Sequence, residues 1–104
     1  MNNKNVISRI KSLAKTLLPE NSRLLLYGSR ARGEARADSD WDLLLLLGRE
    51  HEKDDFNNIS YPLMQLGFDL GQYFSIHTYT QKEWNNMSFM PFYKNVEHDK
   101  IEIL

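Results

Sequence analysis

Two aspartates and a glycine-serine turn have the types and spacing to do chemistry. Asp40 and Asp42 stand at the mouth of five consecutive leucines, Leu43 to Leu47, and shortly before them comes Gly28-Ser29-Arg30-Ala31-Arg32-Gly33. A carboxylate at the start of a buried strand is costly unless something pairs with it. Residues two apart on a strand share a face, so the two acids project side by side, ~6–7 Å apart along the chain. That separation lets carboxylates bracket two divalent ions ~3.5–4 Å apart, the arrangement used for in-line phosphoryl and nucleotidyl transfer. Oxygen ligands without clustered histidine or cysteine favour Mg2+. Asp40 and Asp42 are therefore the expected catalytic and metal-ligating pair.

The turn supplies an anion-binding counterpart. Gly28 lets the backbone approach a phosphate with no Cβ in the way, Ser29 adds a hydroxyl donor, and a short helical turn after it would present unpaired N–H groups. Arg30 and Arg32 can add charge-assisted bonds to a triphosphate or to leaving pyrophosphate. Gly28, Ser29, Arg30 and Arg32 form the expected nucleotide-binding set. Glu34, Arg36 and Asp38 read as a solvated, mutually paired loop surface.

The flanking elements must hold these groups in place. Val6, Ile10, Leu13 and Leu17, with Ile7, Ala14 and Leu18, fall on one stripe at helical spacing, predicting a helix over Asn5 to Leu18 that Pro19 stops. Leu24 to Tyr27 and Trp41 to Leu47 read as adjacent strands buried on both faces. Ser29 is placed to cap a turn over Arg30 to Arg32. Phe56, Ile59, Leu63, Leu66 and Leu70, interrupted at Pro62, predict two short helices or one kinked one over His51 to Leu70. Gln72 to Thr80 reads as a third strand with Tyr73, Ser75, His77 and Tyr79 on one face. Gln81 starts another helix, and His98 to Leu104 gives a turn and a short edge strand. Trp41, between the acids, faces the core, and Trp84, Phe89, Phe92 and Tyr93 read as helix-packing residues. His51 and His98 lie in polar loops. The fold class expected is α/β (α+β), a single domain over residues 1–104 with a mixed sheet of about four strands and helices packed against it.

Gly28-Ser29-Arg30-Ala31-Arg32-Gly33 followed by Ser39-Asp40-Trp41-Asp42-Leu43 resembles the G-S-x-A-R-G … S-D-x-D-L signature of the minimal nucleotidyltransferases, a branch of the polymerase beta-like superfamily. The later Leu66 to Trp84 and Pro91 to Leu104 segments are similar to that family too. The resemblance implies Mg2+, a nucleoside triphosphate substrate, ATP by preference, and transfer of a nucleoside monophosphate to an acceptor. Small members resemble antitoxin-like subunits paired with an all-helical, HEPN-like partner, to which some add AMP; a homo-oligomer is the other assembly considered. Members with a full site carry a third carboxylate on the strand matching Tyr73 to Tyr79. Here Ser75 and His77 stand on that face, and Asp69 comes too early. His77 could act as a base near neutral pH or as a poorer ligand. The alternative is thus a nucleotide-binding, partner-neutralising subunit with little or no catalysis.

Composition bounds the remaining classes. At 104 residues, one domain hides roughly two thirds of its unfolded surface but encloses no deep cavity of its own. The chain is 41% hydrophobic and 26% charged, which is globular and not disordered. A net charge of −1 gives a nucleic-acid acceptor no support. Without cysteine there is no thiolate metal site or thiol nucleophile. With no signal-peptide pattern and no membrane-length apolar run, the cytoplasm is expected.

Overall fold

The computed structural model describes residues 2–104. Helix α1 spans Asn3–Leu17, begun by the Asn2 side chain accepting from the Asn5 N–H at 2.9 Å and closed before Pro19. Its buried residues, Val6, Ile10 and Ala14, repeat every four positions and lie against the sheet. Strand β1 (Arg23–Tyr27) and strand β2 (Trp41–Leu47) run antiparallel, Leu25 opposite Leu44 and Tyr27 opposite Asp42. Between them Ser29–Arg32 makes the one-turn helix α2.

The next helical segment opens at Phe56–Ser60 as a π-helical turn and continues without a break into α3, Tyr61–Asp69. Pro62 has no N–H to return to the preceding turn, and the Tyr61 N–H instead reaches back five residues to Phe56 O. The expected break is therefore absorbed as a widened turn. Strand β3 (Phe74–Thr80) lies parallel to β2, with Asp42 beside Ser75 and Leu44 beside His77. The short helix α4 (Gln81–Asn85) starts with a reciprocal capping box between Thr80 and Glu83. Helix α5 (Pro91–Asp99) follows, then the edge strand β4 (Ile101–Glu102), which pairs antiparallel with β1. The sheet order is β3-β2-β1-β4, a four-stranded mixed sheet.

The leucine run explains itself on this sheet. Leu43, Leu45 and Leu47 enter one core with Trp41, Leu24, Leu26 and Phe74 beneath α1 and α3, while Leu44 and Leu46 enter a second with Leu25, Trp84 and Val96 beneath α4 and α5. A strand covered on both faces has no reason to alternate apolar with polar residues. Asp42 has the parity of Leu44 and Leu46, so it opens toward the α4–α5 side.

Several expectations are corrected. Gly28, not Ser29, is the N-cap of α2, and it does so through its backbone at φ +74°, a conformation that leaves Ser29 inside the turn. Residues 91–99 form a full helix, whereas the sequence predicts a turn from His98 onward. Trp84, Phe92 and Tyr93 pack around one another, but Phe89 is 76% exposed in the α4–α5 connection. In the α2–β2 loop Glu34 pairs with Arg32 rather than with its neighbours.

Candidate active site

The site lies where β1 ends, α2 turns and β2 begins. Gly28 is pressed against Asp42: a Cβ added to it would meet Asp42 Oδ2. At positive φ and with that contact, a side chain here would be strained and would displace the Asp42 carboxylate. The N–H groups of Ala31 and Arg32 turn back to Gly28 O at 3.0 and 3.1 Å. Those of Ser29 and Arg30, in the first turn of α2, have no acceptor among the described residues.

Asp42 is half-buried and no described donor bonds to its carboxylate. Burial raises its pKa above the ordinary range, the charge of Asp40 raises it further, and His77 and Arg32 act in the opposite sense. Asp40 lies one residue outside β2 and is exposed. The two acids are thus close enough to repel, on a shelf that lacks a protein cation bonded to either. Oxygen-only donors, mutual repulsion and a cradle without Cβ fit a divalent cation. Among the described residues no group of three or more acidic, histidine or cysteine side chains could hold a metal. Two carboxylates with open positions suit Mg2+, which keeps waters and is commonly held by one or two carboxylates plus substrate phosphates.

Ser75 stands beside Asp42 in the parallel ladder, on the same face, where a third acid was sought. His77 lies two residues further along β3. Its Nδ1 is 3.0 Å from the Tyr27 hydroxyl, and its ring meets Phe92 edge-on at 6.3 Å. Burial, then the charge of Asp42, then Tyr79 push the Tyr27 pKa up to about 12. Tyr27 therefore keeps its proton; in the tautomer whose Nδ1–H donates to the Tyr27 hydroxyl oxygen, Nε2 of His77 is the unprotonated ring nitrogen, open to an incoming group. Asp69 ends α3, which packs on the sheet face opposite Asp42, and accepts from Gln65 Nε2 at 3.0 Å.

The two arginines are not equivalent. Arg32 bonds to Glu34 and to Asp99 of α5, the latter through Nη1 at 2.9 Å, yet its side chain is 45% exposed and its charge is felt at Asp42. Arg30 instead turns under the loop, bonding the carbonyls of Ala37 and Ser39 and lying over the Trp41 ring. Tyr27 was not singled out from the sequence. Its signal was available: it is the last residue of β1, directly before the glycine turn.

Residues 8–90 match the family described as Polymerase beta, Nucleotidyltransferase, and the chain belongs to it. Among solved structures, the fold is similar to a chain in a crystal structure of a toxin–antitoxin with AMP-PNP. The TM-score is 0.62, with 16% identity, covering 99% of this chain and 73% of that one. No curated protein sequence matches the chain significantly. Among the described residues no helix is long and apolar enough to cross a membrane.

Proposed function

We propose that this chain is a Mg2+-dependent nucleotidyltransferase that moves AMP from ATP to an acceptor hydroxyl on an all-helical, HEPN-like protein partner, as one half of a toxin–antitoxin pair. The single observation that carries the reading is the seating of Asp42, half-buried, with no described donor, beside a second acid and against a glycine whose missing Cβ makes room for its carboxylate. Family membership supports the reaction class. The toxin–antitoxin with AMP-PNP that shares the fold supports a triphosphate substrate and a protein partner.

Asp40 and Asp42 would hold Mg2+, and when bound it neutralises phosphate charge and polarises the phosphoryl oxygens. Gly28 brings the backbone to the phosphates, the N–H groups of Ser29 and Arg30 and the Ser29 hydroxyl donate to their oxygens, and Arg32 adds a charge-assisted contact to the departing pyrophosphate. His77 Nε2 is the group available to take the proton of the attacking hydroxyl where family members have a third carboxylate. Tyr27 orients that ring.

The test is transfer from α-labelled ATP with Mg2+ and the candidate helical partner, wild type against Asp42→Asn. Label on the partner that depends on Asp42 is expected. Equal labelling by both proteins removes the assignment. A second reading is favoured by one specific observation, Ser75 beside Asp42 in place of an acid: a subunit that binds ATP and neutralises its partner with little turnover. Mg2+-dependent ATP binding with no transfer to any acceptor would select it.

A further inference from the structure

The two acids are held by different means. Asp42 lies inside β2 with neighbours on both sides, Tyr27 and Ser75. Asp40 precedes the ladder, which begins with the Trp41 N–H donating to Tyr73 O at 2.8 Å. It ends an irregular loop running from Gly33, and a carboxylate on such a loop needs something else to fix it. Within the loop the Ser39 N–H donates to Arg36 O at 3.1 Å and the Arg36 N–H to Ser39 Oγ at 2.8 Å, closing a local turn; what ties that turn to the rest of the fold is Arg30 Nη2, which donates to Ala37 O at 3.2 Å and to Ser39 O at 2.9 Å. Arg30 Nη1 reaches Asn3 Oδ1 of α1 at 3.2 Å, and the guanidinium carbon sits 4.7 Å from the centre of the Trp41 ring. Trp41 is itself pinned through Nε1 to Gln72 Oε1 at 2.9 Å. The Ser39 carbonyl belongs to the peptide unit that leads into Asp40, so this bond sets the plane from which the Asp40 side chain departs.

We infer that Arg30 is a positioning residue that clamps the Ala37–Ser39 backbone and so holds Asp40 in register with Asp42. The inference rests on reading the two acids as cation ligands, and it takes the Arg30 side chain, though not its backbone N–H, out of the set that touches phosphate. Arginine suits the place because its fork serves two directions while its plane lies by the indole, Nη2 bonding the two carbonyls and Nη1 reaching Asn3, which the single nitrogen of lysine cannot reproduce. Arg30 Nε, buried with no acceptor among the described residues, marks a side chain committed to the inner side of the loop.

The sign of one measurement separates the roles. Removing a positive charge near a cation site should tighten cation binding by electrostatics alone; loosening the clamp should weaken it. Mn2+ without nucleotide is the probe, its free concentration read by electron paramagnetic resonance, on wild type, Arg30→Lys, Arg30→Gln and Asp42→Asn. Both Arg30 variants are expected to bind Mn2+ about tenfold more weakly, the usual scale for losing a group that orients a ligand. Both should also exchange the backbone amides of residues 37–40 faster. Mn2+ binding by Arg30→Gln as tight as or tighter than wild type, or unchanged exchange in both variants, overturns the inference. If Arg30→Gln does not fold, Arg30→Lys decides, since it keeps the charge and the stem. Wild type binding Mn2+ no better than Asp42→Asn instead defeats the reading of the acids as ligands, and amide exchange alone then decides whether Arg30 holds the loop.

Discussion

Placing an acid at Ser75 should complete the site at a measurable cost to the metal-free fold. Ser75 and Asp42 are lateral neighbours on parallel strands, which lie about 4.8 Å apart, with both side chains on the α4–α5 face. In Ser75→Asp the two carboxylates would stand about 5 Å apart. Unit charges at that distance repel by about 3 kcal/mol at an effective dielectric of about 20 and by under about 1 kcal/mol in bulk water. Ser75 is half-buried, so the penalty expected in chelator lies between these limits. That corresponds to a Tm lower by roughly 5–15 °C for a domain of this size. Mg2+ should reverse the loss, because the added acid gives the cation a third oxygen ligand. Thermal melts of wild type, Ser75→Asp and Ser75→Asn, each in chelator and in Mg2+, check this, with Ser75→Asn expected near wild type in both. Transfer to the helical partner should rise in Ser75→Asp alone. A Tm that falls equally with and without Mg2+ would show that position 75 does not share a cation with Asp42, and the proposed site geometry would fail with it.

Gly28→Ala should cost of order 1–3 kcal/mol from its positive φ and abolish ATP binding, because the new methyl meets Asp42 Oδ2; calorimetry with ATP and Mg2+ checks it. The raised pKa of Asp42 means that its contribution to stability is full below about pH 4 and is lost as pH rises through its folded-state value. In chelator, Asp42→Asn is therefore expected to melt above wild type at pH 7, with the gap closing near pH 3 and vanishing in saturating Mg2+. Asp55 behaves oppositely. Its pKa is lowered chiefly by the Arg49 guanidinium, so its contribution is present above the ordinary aspartate range and lost as pH falls through the lowered value. Asp55→Asn should cost about 1 kcal/mol at pH 7 and progressively less as pH falls below the ordinary aspartate range, read from urea midpoints. Arg32→Ala should weaken ATP binding about tenfold, and Asp99→Asn, which frees Arg32 from α5, should strengthen it; an unchanged Kd in both would exclude Arg32 from the phosphate site.

What could be read along the chain is what local chemistry controls. Periodicity placed α1 and the three principal strands to within about two residues, because an amphipathic stripe and an unbroken apolar run each have one economical way to bury themselves. The parity of a strand put Asp42 and Trp41 on opposite faces. Helix α5 was not legible as an element: Pro91 at its start and a polar outer face hid a segment whose Val96, Phe92 and Tyr93 gain their meaning only from the Trp84 they surround.

The order of residues by itself determined that two acids would follow a glycine turn at the edge of a buried leucine strand, since turn chemistry and strand alternation act over a few residues. Only the tertiary structure decided that β3 would run parallel to β2 and set Ser75 beside Asp42, that Tyr27 would reach across to His77, and that Arg30 would turn inward to Trp41 while Arg32 stayed outside. These pairings join residues up to 67 positions apart. Charge and size alone leave such partners open; which arginine meets a ring and which meets a carboxylate is settled by the packing of the elements around them.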